Sequence, residues 1–329
     1  MMFQIKDRID QDRVIFEYEL NEREAWERPQ QLGFVALKAV ELGVSLSTAD
    51  LSGADLSRTH LRCADLRNAD LSWANLTNVD LRDVDLNRTK LRGANLSGVN
   101  LRDADLSGTD LRDTNFTKAY LGNINLNSTH LRGAIFRGAV LYNADLSRAD
   151  LSWVNLSGAD LRGVVARFAD LASANLSDTH LNDADLSGAN LSGADLSRAD
   201  LADADLSRAD LRDVNLTWAT VTGCNLTRAN LVGVNFNSTN LRGSNLSYTS
   251  LKGVDFRCAN LHRAYLYGVN FSNADLADAD LTDADLRNAN LTNANLTNAK
   301  LACSIYNRGT KFTNRNMEFN NSREIKEND

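Results

Sequence analysis

The sequence predicts an all-β solenoid, a chain wound in four-sided coils that stack on one another. Three observations predict it. From Leu46 to Leu301 every fifth residue is large and apolar, 52 positions of which 45 are Leu, five are Phe and the remaining two are Val221 and Ala166. Two residues before each of them stands a small residue, chiefly Ala, Val or Thr. The residue between is most often Asp or Asn, and the two that follow are mostly polar or Gly. The unit is therefore small, Asp/Asn, Leu, polar, polar, repeated without a break in phase.

Period five fits neither regular element alone. A helix repeats every 3.6 residues, so Leu at every fifth position would wander around it, and a strand repeats every two. The small residue and Leu, two apart, share one face of an extended segment. The two polar residues then turn a corner, and Asp and Asn suit corners because they hydrogen-bond nearby backbone and tolerate turn dihedrals. Four corners close a square. The 52 units thus give about 13 coils, about 60 Å of stack at the ~4.8 Å spacing of neighbouring strands.

Runs such as SGADL-SRADL resemble the pentapeptide-repeat family, whose signature is A(D/N)LXX, over residues 44 to about 305. The resemblance implies a right-handed quadrilateral β-helix with Leu and Phe stacked inside and the small residue beside them. Ladders at twenty-residue spacing follow: Phe116 on Phe136, and Phe236 on Phe256. Ala166 is the weak rung of the Leu ladder.

The ends of a solenoid expose unpaired strand edges and need covering. Residues 1–45 read as an N-terminal cap of α+β type. Val14, Phe16, Tyr18 and Leu20 alternate as in a half-buried strand, and RPQQLGFVALKAVELG reads as a helix with Pro29 in its first turn and Gly43 at its stop. Leu32, Val35, Ala36, Ala39 and Val40 share its inner face. The β-helix occupies 46–305. Residues 306–329 form a C-terminal cap and a flexible polar tail, because the phase fails after Leu301.

The composition points away from chemistry. The formal net charge is −7, Pro29 is the single proline, and no apolar run reaches the roughly 20 residues of a membrane span. No apolar leader stands at the N-terminus, so a cytoplasmic location is expected. Cys63, Cys224, Cys258 and Cys303 show no paired spacing and read as reduced thiols. His60, His130, His180 and His262 lie coils apart or on different faces, which gives no metal cluster. The abundant Asp belongs to the repeat, and a filled interior offers no pocket for a carboxylate pair. No catalytic residue, cofactor or metal is expected, and the protein is not expected to be an enzyme.

Direct nucleic-acid binding is not expected either. Arg62, Arg82 and Arg102 form one ladder and Arg92, Arg112 and Arg132 another, but each lies beside Asp residues, so the faces carry mixed charge. The alternative to a plain interaction scaffold is mimicry of DNA, since some relatives in the resembling family protect DNA gyrase. Residues 46–305 hold 30 Asp, no Glu and 25 Lys plus Arg, a net of −5. Duplex DNA about 60 Å long carries roughly 35 negative charges at one per ~1.7 Å. No inserted loop and no C-terminal dimerising helix is visible.

Departures from the repeat mark candidate surfaces, because the phase fixes which side chains point outward. Tyr120, Ile135 and Val140 replace Asp/Asn, Tyr142 flanks them, and Trp153 and Phe168 stand at outward corners. This is the most apolar surface that the sequence offers, and such patches mark interaction sites; the plain reading is that they shield the irregularity at Ala166. Tyr248, Tyr265 and Tyr267 form a second candidate. Asp275, Asp278, Asp280, Asp283 and Asp285 form an acidic strip that reads equally as solvated repeat positions. The function read from this is a non-enzymatic protein–protein interaction rod, a monomer or weak homodimer, whose partner is an unspecified protein.

Overall fold

In the computed structural model, residues 2–20, 27–57, 59–62, 64–82, 84–313 and 323–324 are described. Cys63 and Asp83 lie outside them. The chain divides into two compact units, Met1–Asp160 and Leu161–Asp329.

Period five becomes a backbone rule in both units. In the first, parallel β-bridges join residues twenty apart from Asp50↔Asp70 through Val140↔Asp160. In the second they run from Val165↔Asp185 through Asp285↔Ile305. Twenty residues are four units, so each rung carries four short bridging segments. The bridging residue is the Asp/Asn position. Its amide donates to the preceding rung and the next amide to the following one: Asp70 N–H to Ala49 O, and Leu71 N–H to Lys90 O, both at 2.8 Å.

This corrects one expectation. The Asp/Asn position of the unit is the bridge, not the corner, and from there only its side chain reaches the corner; Asp and Asn also recur at the corner itself, as Asn68 and Asp103 do. Asp70 Oδ1 accepts the Ser72 amide at 3.0 Å, and Asn215 Oδ1 accepts the Thr217 amide at 3.1 Å. The corner proper is built from the two residues after Leu. The Leu carbonyl accepts the amide three residues on, as Leu71 O does from Ala74 at 3.0 Å. The second intervening residue is left-handed: every described residue at five-residue steps from Thr48 to Cys303 has φ between 54° and 73°. A three-residue hydrogen bond with positive φ at its third residue is the pattern of a type II turn.

The interior follows from this geometry. Each Leu or Phe of the ladder from Leu46 to Leu296 is 9 % exposed or less. Phe116 stacks on Phe136 at 4.7 Å and Phe236 on Phe256 at 4.8 Å, each pair 10° from parallel. Ala166 is buried, and its rung is unbroken, with its amide donating to Asp185 O at 2.7 Å. Thr and Ser at the small position satisfy their hydroxyls on interior carbonyls, as Thr114 does on Leu91 O at 3.0 Å.

Before the repeats, β1 (Met2–Lys6) and β2 (Val14–Glu19) form an antiparallel hairpin, followed by α1 (Arg28–Glu41). The strand at β1 was not legible from MFQIK alone. Leu32, Val35, Ala36 and Ala39 of α1 are buried, and Val40 is half-buried. These elements supply acceptors that the first rung would otherwise lack: Asp50 N–H donates to Lys6 O at 2.8 Å and Asp55 N–H to Pro29 O at 2.9 Å. Gly33 permits the approach, because a Cβ there would sit 1.8 Å from the Asp55 carbonyl oxygen. Asp7 ties the hairpin down. It is buried, and it accepts the Ile9 amide at 2.7 Å and the Thr48 hydroxyl at 2.8 Å.

At the other end, β3 (Asn290–Leu291) pairs in parallel with β5 (Lys311–Phe312), and β4 (Ile305–Tyr306) with β6 (Arg323–Glu324). The Asn290↔Lys311 spacing is one residue longer than the repeat, because Asn307, Arg308 and Gly309 stand where two residues stand elsewhere. Arg323 and Glu324, in the stretch expected to be a flexible tail, are thus in a strand. Among the described residues no helix is long and apolar enough to cross a membrane.

Outside, Asp and Arg two residues apart clasp each other. Arg212 donates Nε to Asp210 Oδ1 at 2.9 Å and Nη2 to Oδ2 at 2.6 Å, and Arg67, Arg82, Arg112, Arg257 and Arg287 repeat the arrangement with Asp65, Asp80, Asp110, Asp255 and Asp285. The hydrogen bond from Arg82 is the main cause that draws the Asp80 carboxyl down to about 2; Asp110, Asp210 and Asp255 are lowered for the same first reason.

Two outcomes are expected. A carboxyl with a lowered folded pKa stabilises the fold above its unfolded value of about 3.9, and that contribution is lost as pH falls through the folded value. The melting temperature should therefore fall between pH ~4 and pH ~2. The combined Arg82→Gln, Arg112→Gln, Arg212→Gln variant should flatten that fall, modestly because the pairs are half-exposed. Ala166→Leu should raise the melting temperature in calorimetry by restoring the ladder; a decrease would reveal an overpacked rung.

Candidate interaction surfaces

The left-handed corner decides which large side chains are unusual. Asn, Asp and Gly tolerate positive φ, whereas a bulky aromatic there is strained by ~1–2 kcal/mol. Yet Trp73, Trp153, Phe168, Trp218 and Tyr248 all occupy such corners, with φ between 55° and 63° and 64–71 % exposure. Three of them have a glycine at the corner twenty residues on. A Cβ at Gly93, Gly188 or Gly268 would lie 2.4, 2.6 or 3.1 Å from the ring of Trp73, Phe168 or Tyr248. Each ring leans over the next corner, into space that only glycine leaves open.

The first candidate set divides among several places. Tyr120 and Val140 are bridge partners on one face, Tyr120 exposed and Val140 half-buried. The Arg102 guanidinium lies 5.3 Å from the Tyr120 ring centroid, within cation–π range. Beside them the Tyr142 ring covers Gly122, where a Cβ would be 2.4 Å from its Cζ. Ile135 bridges Asn115 and Asn155 on the preceding face, and Trp153 stands at that face's outer corner. Phe168 belongs to the second unit, leaning over Gly188.

The second set forms a contact. Tyr248 and Tyr267 meet edge to face at 5.3 Å, the Tyr267 hydroxyl accepts from Asn288 Nδ2 at 2.6 Å, and Tyr265 is an exposed bridging residue between Asn245 and Asp285. The acidic strip finds partners within the fold: Asp275 accepts from Asn295 Nδ2 at 2.8 Å, Asp278 from Asn298 at 3.1 Å and Asp280 from the Thr282 amide at 3.0 Å, Asp283 lies 3.6 Å from Arg263, and Asp285 lies 2.7 Å from Arg287.

No group of three metal-ligating side chains gathers among the described residues. Cys224 is buried, its thiol donating to Leu201 O at 2.8 Å, and burial pushes it up to about 12, far from a reactive thiolate. Cys258 and Cys303 are exposed and unpaired. Trp73 and Trp218 were missed as candidates, as was the pairing of corner aromatics with glycines. The signal was present as Trp73/Gly93 and Phe168/Gly188, but it is readable only once twenty residues are known to make one rung.

Gly188→Ala and Gly243→Ala separate strain from contact. Both glycines have φ +68°, but nothing lies within 4 Å of a Cβ at Gly243. Each change should cost ~1–2 kcal/mol for the left-handed backbone. Gly188→Ala should cost more in denaturant titration, and the excess should vanish in a Phe168→Ala background.

The five-residue geometry agrees with the comparisons. The family model described as pentapeptide repeats (8 copies) matches overlapping segments from residue 43 to residue 302. Among solved structures, HetL is a pentapeptide repeat protein involved in heterocyst differentiation regulation from the cyanobacterium Nostoc sp. strain PCC 7120. It is 33 % identical, over 65 % of this chain and 90 % of its own, with a TM-score of 0.25. Full-length QnrB1, a plasmid-mediated fluoroquinolone resistance protein, is 18 % identical over 59 % of this chain and 92 % of its own, with a TM-score of 0.27. Rfr23, from the cyanobacterium Cyanothece 51142, is 29 % identical over 39 % and 63 %, with a TM-score of 0.17. No curated protein matches the chain. With the repeat match covering most of its length, this chain belongs to the pentapeptide repeat family.

Proposed function

We propose that this protein is a non-enzymatic protein-binding solenoid, whose first unit docks a protein partner through Tyr120, Val140 and Tyr142 on one face and Ile135 and Trp153 on the neighbouring one. One observation carries the reading. Trp153 is 64 % exposed in a left-handed corner that Asn, Asp or Gly fills at less cost, so the fold does not account for it. Local strain kept beside exposed apolar surface is explained by a contact made outside the chain. The same reading takes residues 46–305 as a right-handed quadrilateral β-helix of about 13 coils, between an N-terminal cap at 1–45 and a C-terminal segment at 306–329. Its support is the twenty-residue bridge spacing and the family match.

Charge argues against imitation of duplex DNA. Asp65, Asp80 and Asp110 are clasped by Arg67, Arg82 and Arg112, which interrupts the negative charge that mimicry of phosphates would need there. A gyrase supercoiling assay should accordingly show neither inhibition nor protection against a quinolone.

The direct experiment is affinity purification from the cells that make the protein. Wild type is compared with a Tyr120→Ser, Tyr142→Ser, Trp153→Ser variant of unchanged melting temperature. The variant should lose its main captured protein by tenfold or more. Capture of the same proteins at the same yield would sink the reading.

A further inference from the structure

The second unit contains a groove that the sequence reading did not find. It encloses about 570 Å³ along the corner that follows the Asp185–Asp205–Asn225 face. Phe168 closes one end and Tyr248 the other, and Tyr248 is backed by Tyr267. Ser187, Ser207 and Thr227 line its floor. Between the aromatic ends stand Arg208 and Arg228, both exposed and one rung apart.

The ionic groups of this groove are unevenly satisfied. Asp185 accepts from the Ser187 amide and hydroxyl and pairs with Arg167. Asp205 accepts from the Ser207 amide at 2.8 Å and Asn225 Nδ2 at 3.1 Å. The Arg208 and Arg228 guanidinium groups have no ion pair or side-chain hydrogen bond with any described residue. They differ in this from Arg212 and Arg257, each clasped by its own Asp. The sequence sharpens the contrast, since residues 214–254 include Arg228, Arg242 and Lys252 and contain no Asp or Glu. Two uncompensated cations therefore lie between two exposed aromatic side chains.

We propose that this groove binds an extended acidic peptide segment of a partner protein. Two carboxylates of the segment, two residues apart and so on one face of it, pair with Arg208 and Arg228, and apolar side chains on either side rest on Phe168 and on Tyr248. Phe168 and Tyr248 are four rungs apart. Four rungs at ~4.8 Å span about 19 Å, about six extended steps of ~3.4 Å and so about seven residues. Arg208 and Arg228 stand two and three of those four rungs from Phe168, and alternate residues of an extended segment share a face. The recognised sequence is thus apolar, any, acidic, any, acidic, any, apolar. Arginine suits the central pair because its planar fork binds a carboxylate through two parallel hydrogen bonds. Single-stranded nucleic acid also combines negative charge with stacking. It carries a phosphate at every residue, however, and would set some of them against Asp185 and Asp205. A peptide can place its acids only where the arginines are.

This deepens the protein-binding reading but rests on different residues, so the two can fail separately. The test selects a displayed library of fully randomised heptapeptides on the full-length protein. Peptides with two acidic residues, two apart, between flanking apolar ones should be enriched. Their binding, measured by fluorescence anisotropy, should weaken at least tenfold with Arg208→Gln, Arg228→Gln and with Phe168→Ser, Tyr248→Ser. Their amide analogues should bind at least tenfold more weakly, and added salt should weaken the acidic peptides selectively. The Tyr120→Ser, Tyr142→Ser, Trp153→Ser variant and the Arg198→Gln control should bind as wild type does. Enrichment without acidic residues, no enrichment, retained affinity in the double Gln variant, or tighter binding of a labelled oligothymidine would each overturn the proposal.

Discussion

Everything in this protein depends on one hydrogen-bonding constraint: each rung must offer its amides and carbonyls to the next at a spacing of twenty residues. The amide at the Asp/Asn position looks backward to the preceding rung and the amide of the following Leu looks forward, as at Asp70 and Leu71. That alternation holds only if the chain returns to the same place after four units. Return requires four equal corners, and equal corners require a left-handed residue at the same place in every unit. An insertion shifts the register, which is seen where Asn307, Arg308 and Gly309 lengthen one spacing and the Leu ladder ends.

Once the corner is fixed, the other preferences follow. Leu and Phe point inward because they sit between bridge and corner, and they stack because the bridge spacing sets their separation; the Phe116–Phe136 distance of 4.7 Å is close to a strand spacing. Asp and Asn recur because their side chains satisfy the corner amide two residues on, while Asn Nδ2 reaches the carboxylate one rung back, as Asn75 does to Asp55 at 3.0 Å. Carboxylates stacked twenty residues apart would repel, and alternation with Asn or a clasping Arg removes the conflict. The high acid content is thus largely structural, and charge alone is a poor guide to what the surface does.

The informative residues are those that the corner rule does not require. Neither the aromatics in left-handed corners nor the exposed Arg208 and Arg228, which have no clasping carboxylate, are demanded by the backbone. Their surroundings accommodate them nonetheless, as the glycine beneath Phe168 does. A repeat fold makes such departures easy to see, because every regular neighbour gives a standard for comparison.

The sequence by itself determined the period, the interior ladder and the outward list of Tyr120, Ile135, Val140, Tyr142, Trp153 and Phe168. It could do so because burial in a repeat depends only on position within the unit. It also revealed the inward alternation of Phe16, Tyr18 and Leu20, although Val14 at its head is exposed, and the helix with Pro29 in its first turn. The tertiary structure alone decided what depends on contacts between rungs. It moved the Asp/Asn position of the unit from the corner to the bridge, brought Lys6 and Pro29 to the first rung as acceptors, and made Gly33 a point of close approach. It divided the first candidate set between two faces of one unit and a corner of the other. It also aligned Phe168, Arg208, Arg228 and Tyr248 along one groove, although they are scattered over eighty residues. A five-residue pattern specifies a side chain's direction, but which side chains become neighbours is set by the twenty-residue rung, a property of backbone hydrogen bonding that no single unit contains.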